Sequence, residues 1–82
     1  MSAVRNVVEV LAKALTDRPE EVRMIESEHR GTTLVELYVA PGELGRVIGK
    51  QGRTAAALRT LAATAAEKAG KTVTLEIRDG KP

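Results

Sequence analysis

The chain has no cysteine in its 82 residues, which excludes a disulfide framework, any Cys-ligated zinc site and thiol chemistry. Phenylalanine and tryptophan are also absent and tyrosine occurs once, at Tyr38, so no surface built from several aromatic rings can stack bases. The one histidine, His29, lies near an expected hairpin end, where a solvated side chain outweighs a ligand or base. Ser2 and Ser27 are the only serines, and neither sits in a GxSxG nucleophile setting. No apolar run approaches the roughly 18 residues of a membrane span, and the N-terminus lacks a signal-peptide core. The expectation is a soluble cytoplasmic protein that does not meet the membrane.

What remains is one small domain over residues 1–82. Its length is near the lower limit for a comfortable core without disulfides or metal, so pairing with a second copy is reasonable. The net charge of +2 is small but unevenly placed. Between Gly42 and Arg59 stand four basic residues, Arg46, Lys50, Arg53 and Arg59, against one acid, Glu43; the rest of the chain is slightly acidic. A local patch of this kind can steer an anionic strand.

Apolar spacing predicts the elements. Ser2 can cap a helix carrying Val4, Val7, Val8, Leu11 and Leu15 on one face, ended by Asp17-Arg18-Pro19. Residues 21–30 read as a strand that turns polar, with Glu26 and Glu28 facing outward, and Arg30-Gly31 as its hairpin turn. Thr33, Val35, Leu37 and Val39 alternate with Glu36 and Tyr38 in a one-sided strand over 32–40. Pro41-Gly42 opens a short helical turn through Ile48, with Leu44, Val47 and Ile48 at core spacing. An alanine-rich helix follows from Arg53 to Ala69, with Leu58 and Leu61 inward and Gly70 as its stop. Val73, Leu75 and Ile77 mark a last strand over 72–78, and 79–82 read as a loose end.

Between the second and third helices lies Gly49-Lys50-Gln51-Gly52, two glycines around an exposed basic tip. Glycine lets the main chain turn sharply and approach another backbone, and a helix starting after Gly52 aims its free N–H groups and positive dipole end at a phosphate. The spacing is wrong for a nucleotide-hydrolase P-loop, because Gly45 to Gly49 encloses three residues and Gln51 stands where a metal-binding hydroxyl is needed. A GxGxxG dinucleotide fingerprint after a strand is absent too. The carboxylates Glu20, Glu21, Glu26 and Glu28 read as solvated surface. No catalytic constellation, cofactor site or metal site emerges, so an enzyme is not expected.

The loop, the Val47-Ile48 pair before it and the order α-β-β-α-α-β together resemble the type II KH domain. Phrases such as Leu44-Gly45-Arg46-Val47-Ile48-Gly49-Lys50-Gln51-Gly52-Arg53 and Ala57-Leu58-Arg59-Thr60-Leu61 are similar to the small bacterial stand-alone KH proteins of the KhpA type. The resemblance implies an α+β fold, a three-stranded sheet with its helices packed on one face, and a core of about residues 3–78. It implies non-catalytic binding of single-stranded RNA, with about four nucleotides held by the GxxG loop. Gly49 and Gly52 would form the turn, Lys50 and Gln51 its tip, and Arg46 and Arg53 would flank the path. Val47 and Ile48 would line an aliphatic groove for bases as well as pack the core. Ala55 stands where the family commonly has a larger aliphatic residue, which makes the groove wall shallower. Leu58 and Arg59 could add RNA contacts. Family members self-associate and pair with a larger KH protein of the KhpB (Jag) type, with links to cell shape, division and RNA chaperoning.

Independently of the resemblance, Ala56, Ala63 and Ala66 outline a small-residue face on the long helix that permits close approach of another helix, although alanine is also simply the best helix former. The competing reading is a protein-interaction module on the same scaffold, working through that helix or a sheet edge. A preference for single-stranded DNA is a further alternative, because the 2′-OH contacts that would separate the two are not legible in a sequence.

Overall fold

In the computed structural model, which describes residues 3–82, the alternation of the middle segment becomes strand β2 (Thr32–Val39). Its odd residues Thr33, Val35, Leu37 and Val39 are buried. β2 is the central strand of a three-stranded sheet in the order β1-β2-β3. Strand β1 (Arg23–His29) pairs with it antiparallel, and β3 (Thr72–Asp79) pairs with it parallel. The β1–β2 hairpin turns at Arg30 (φ 51°) and Gly31 (φ 82°). Two successive positive φ values are the mark of a type I′ turn, whose twist suits a two-residue hairpin.

A parallel neighbour requires a crossover, and helices α2 (Leu44–Ile48) and α3 (Arg53–Lys68) supply it. Helix α1 (Ala3–Leu15) packs beside α3 on the same face of the sheet. The core lies in this layer: Val4, Val8 and Ala12 of α1 and Leu58, Ala62 and Ala66 of α3 close over Val35, Leu37, Val39 and Leu75. Among the described residues Leu37 is the largest fully buried side chain, worth about 1.5–3 kcal/mol for its burial. Among the described residues no helix packs on the opposite sheet face. Its central cluster is polar, with Arg78 Nε 3.2 Å from Glu36 Oε2 and the Tyr38 hydroxyl donating to the same oxygen at 3.1 Å.

Local signals explain the element ends. Pro19 begins a short 3₁₀ turn, and Arg18 before it is driven out of helical geometry (φ −127°, ψ 66°). At the end of α3, Gly70 adopts φ 70°, Gly70 N–H donates to Glu67 O at 3.0 Å and Lys71 N–H to Ala66 O at 2.9 Å. This pair of bonds is a Schellman motif. The expected Ser2 cap lies outside the described residues.

Several side chains differ from their sequence assignment. Leu15 is 37% exposed, because the core stripe of α1 runs through Val4, Val8 and Ala12 at intervals of four. Leu61 is 46% exposed for the same reason, since the buried stripe of α3 runs Leu58, Ala62, Ala66. Glu26 and Glu28 lie opposite Val35 and Thr33, on the helix side of the sheet rather than its outer face. There Glu28 accepts from the Thr33 hydroxyl (3.2 Å) and pairs with Lys71 (2.6 Å) at the open edge. The tail is less loose than expected: Asp79 belongs to β3, and Gly80 N–H donates to Val39 O at 2.9 Å.

Candidate nucleic-acid interface

Helix α2 lasts little more than one turn and stops at Gly49, whose N–H donates to Gly45 O at 2.9 Å. Gly49 then takes φ 76° and ψ 173°, and the chain passes through a 3₁₀ turn over Lys50–Gly52 directly into α3. The two glycines are needed for different reasons. A Cβ at Gly49 would fall 2.7 Å from the Thr54 Cβ, so the position needs both a positive φ and empty space. A Cβ at Gly52 (φ 73°) would meet nothing, so only the backbone angle favours glycine there. Gln51 adopts a left-handed conformation (φ 56°, ψ 23°) without being glycine. This costs on the order of 1–2 kcal/mol, partly offset by its side-chain oxygen accepting from Arg53 Nη2 at 2.7 Å.

The result is a tight corner with Lys50 and Gln51 exposed at its tip. No side chain caps the start of α3; the Arg53 N–H donates to Lys50 O, and the first turn turns the positive end of the helix dipole toward the loop. Arg53 is exposed beside them. Among the described residues neither Lys50 nor Arg53 makes an ion pair. The charge at the corner is therefore available to an incoming anion.

Arg46 behaves differently. Its Nη2 lies 2.9 Å from Asp17 Oδ2 and its Nε 3.2 Å from Glu43 Oε2, so it is turned toward the end of α1. Glu43 in turn accepts from the Thr16 hydroxyl and the Asp17 N–H, both at 2.6 Å. Those two bonds hold its carboxyl below the usual carboxylate range, and desolvation opposes them. This clasp ties the end of α1 to the start of α2 and was not legible in the sequence, because its members are 26 and 27 residues apart.

Val47 and Leu58, both expected to line the RNA path, are buried and belong to the core cluster with Leu37 and Val39. Ile48 is half-buried next to Gly49 and stays at the surface. Arg59 reaches the sheet, its Nε donating to Leu75 O at 3.3 Å. Ile77, also half-buried, points to the helix side of β3, which packs against α2. Sequence alternation gave its direction, but nothing in the sequence marks β3 as an edge strand with an incompletely covered inner face. Ala66 is buried at 1% exposure against the core and leaves the expected small-residue face, while Ala56 and Ala63 remain exposed on it. An open recess lined by Glu21, Arg23, Pro41 and Lys81 shares no residue with the loop.

Comparison with known proteins gives a consistent answer. The family description "KhpA/KhpB, KH domain" matches residues 5–77. The RNA-binding protein KhpA of Aquifex aeolicus is 52% identical over 77 residues, covering 94% of this chain and 98% of that protein. The RNA-binding protein KhpA of Clostridium perfringens is 45% identical over 74 residues, covering 90% and 99%. Among solved structures, Era in complex with MgGDPNP and nucleotides 1506–1542 of 16S ribosomal RNA superposes with a TM-score of 0.62 at 18% identity. That match covers 93% of this chain but 29% of Era, and speaks for the fold alone.

Proposed function

The chain belongs to the KhpA/KhpB KH-domain family, and from that premise we infer that it is a non-catalytic RNA-binding protein whose residues from about 3 to 78 act as one KH domain. The single observation that carries the reading is the corner at 49–52: positive-φ backbone, a lysine at its tip that makes no ion pair among the described residues, and a helix start without a side-chain cap meet at one exposed point. Gly49 and Gly52 shape the turn, and Lys50, Gln51 and Arg53 meet the phosphates or sugars of about four single-stranded nucleotides. Arg46 flanks the path from α2. Ile48 and Ile77, both half-buried, offer aliphatic surface to the bases, and Arg59, held to the Leu75 carbonyl, adds charge from α3. Few phosphate contacts fit on so small a corner, so affinity is modest and salt-sensitive.

A second surface has its own support. The exposed side of α3 shows Ala56 and Ala63 along one edge and Leu61, 46% exposed, along the other, with the uncharged Ala57, Thr60 and Thr64 between them. Pairing through this face with a second copy, or with a larger KH protein of the KhpB type, would join two weak RNA sites and raise effective affinity without new contacts. The setting is the cytoplasm, where the protein acts on RNA as a chaperone or regulator.

The test is a filter-binding salt series with a mixed-sequence single-stranded RNA and its DNA counterpart, comparing wild type with Lys50→Asp/Gln51→Asp. Circular dichroism establishes that both are folded. The expected result is salt-dependent RNA binding that the variant loses. Equal binding by the two proteins would move the function to another surface, and stronger retention of DNA would change the ligand class.

A further inference from the structure

Two cations stand four positions apart along the chain at the proposed RNA path, Arg46 on α2 and Lys50 just past its end, and their states are opposite. Lys50 makes no ion pair among the described residues, whereas Arg46 is bound by two carboxylates. The two acids have different duties. Glu43 is fixed by the Thr16 hydroxyl and the Asp17 N–H, so its Oε2 anchors the guanidinium at Nε. Among the described residues the Asp17 side chain makes one ion pair, to Arg46 Nη2 at 2.9 Å; its part in the clasp is played by its backbone N–H.

We propose that Asp17 is an intramolecular competitor for the RNA backbone: its carboxylate occupies the Nη2 end of Arg46 that a phosphate would otherwise take, and so sets affinity and salt dependence. The proposal rests on the reading that RNA lies over the 49–52 corner. Three observations carry it. A rise of about 1.5 Å per residue puts Arg46 roughly 4.5 Å from Gly49 along α2, within reach of a phosphate held at the loop for a side chain of arginine's length. The guanidinium is a fork of five donors, so Nε can stay on Glu43 while Nη2 changes partner. The pair is open to solvent, with side-chain exposures of 54% for Arg46 and 68% for Asp17, and exposed pairs of this kind are weak enough to exchange. Around Arg46 the two carboxylates outweigh the one cation, so in the free protein this flank attracts no phosphate.

Asp17→Asn keeps the shape of the side chain and the backbone bond to Glu43 while removing the competing charge. Wild type, Asp17→Asn, Arg46→Gln, the double variant and Lys50→Asp/Gln51→Asp are titrated with a labelled oligouridylate between about 50 and 200 mM salt. Freeing one phosphate contact steepens the slope of log K against log salt by about 0.7. The advantage of Asp17→Asn over wild type is then about 2.5-fold greater at the low end of the series than at the high end. Arg46→Gln keeps the wild-type slope, and the double variant matches Arg46→Gln. A gain from Asp17→Asn that persists without Arg46 would overturn the proposal, since it would reflect net charge alone. So would an unchanged slope in Asp17→Asn while the Lys50/Gln51 variant still loses binding. If the Lys50/Gln51 variant binds like wild type, the loop reading itself fails and takes the proposal with it.

Discussion

Strand β2 and the 49–52 corner answer to opposite physical demands. β2 buries Val35, Leu37 and Val39 completely, in extended backbone that those β-branched and aliphatic residues prefer. The corner buries no side chain and holds three of its four residues at positive φ, one of them not glycine. Stability is thus concentrated where the chain is regular, and strain is kept at the surface where the RNA site is proposed. The difference predicts that the two properties can be damaged separately.

Leu37→Ala should have the largest effect on folding, about 2–5 kcal/mol by denaturant titration. For an 82-residue chain this is a large part of the total. RNA affinity per folded molecule should stay at the wild-type level. A loss of affinity in the folded fraction would mean that core and corner are coupled.

The two glycines sharpen the contrast within the corner. Gly49→Ala meets Thr54 as well as an unfavourable φ, and should cost about 2–4 kcal/mol. Gly52→Ala meets only the angle and should cost about 1–2 kcal/mol. Equal costs would show that the Thr54 contact relaxes freely. Gln51→Gly should release strain and raise thermal stability slightly, by less than about 1 kcal/mol, because the glycine also loosens the unfolded chain.

Acid should weaken the clasp that links α1 to α2. Glu43 is held below the usual 4.5 by hydrogen bonds from the Thr16 hydroxyl and the Asp17 N–H, and Glu28 is held below it by Lys71 and Thr33. For a group whose folded value is depressed, the stabilisation is present above 4.5 and is lost as pH falls through the folded value. Melting temperatures should therefore be flat from neutral pH down to about 5 and fall below that. Glu43→Gln should show a shallower acid dependence than wild type, and an unchanged profile would remove Glu43 from the account.

How far the sequence spoke depends on how local each signal was. The alternation at 32–39, the hairpin at Arg30-Gly31, the stop at Gly70 and the glycine corner each need only neighbouring residues, and each is where it was expected. The inner face of α3 was harder, because alanine fits either side of a helix. Ala66 shares the Leu58–Ala62 stripe at intervals of four, and Leu61 falls beside it. The clasp of Thr16, Asp17, Glu43 and Arg46 joins segments that meet only after α1 docks on the crossover, so no window of the sequence contains it. Arg46 looked like a free cation for that reason.

The central claim is that RNA meets the chain at the corner and not on the open sheet face or the outer face of α3. A titration of the uniformly ¹⁵N-labelled protein with a short single-stranded RNA, followed by amide chemical shifts, tests it most directly. The account predicts the largest changes at Ile48, Gly49, Lys50, Gln51, Gly52 and the first turn of α3, with Ile77 moving less and Ile25 and Leu34 still. Changes centred on Ile25, Leu34 and Tyr38, or on Ala56, Leu61 and Ala63, with the loop unmoved, would contradict it.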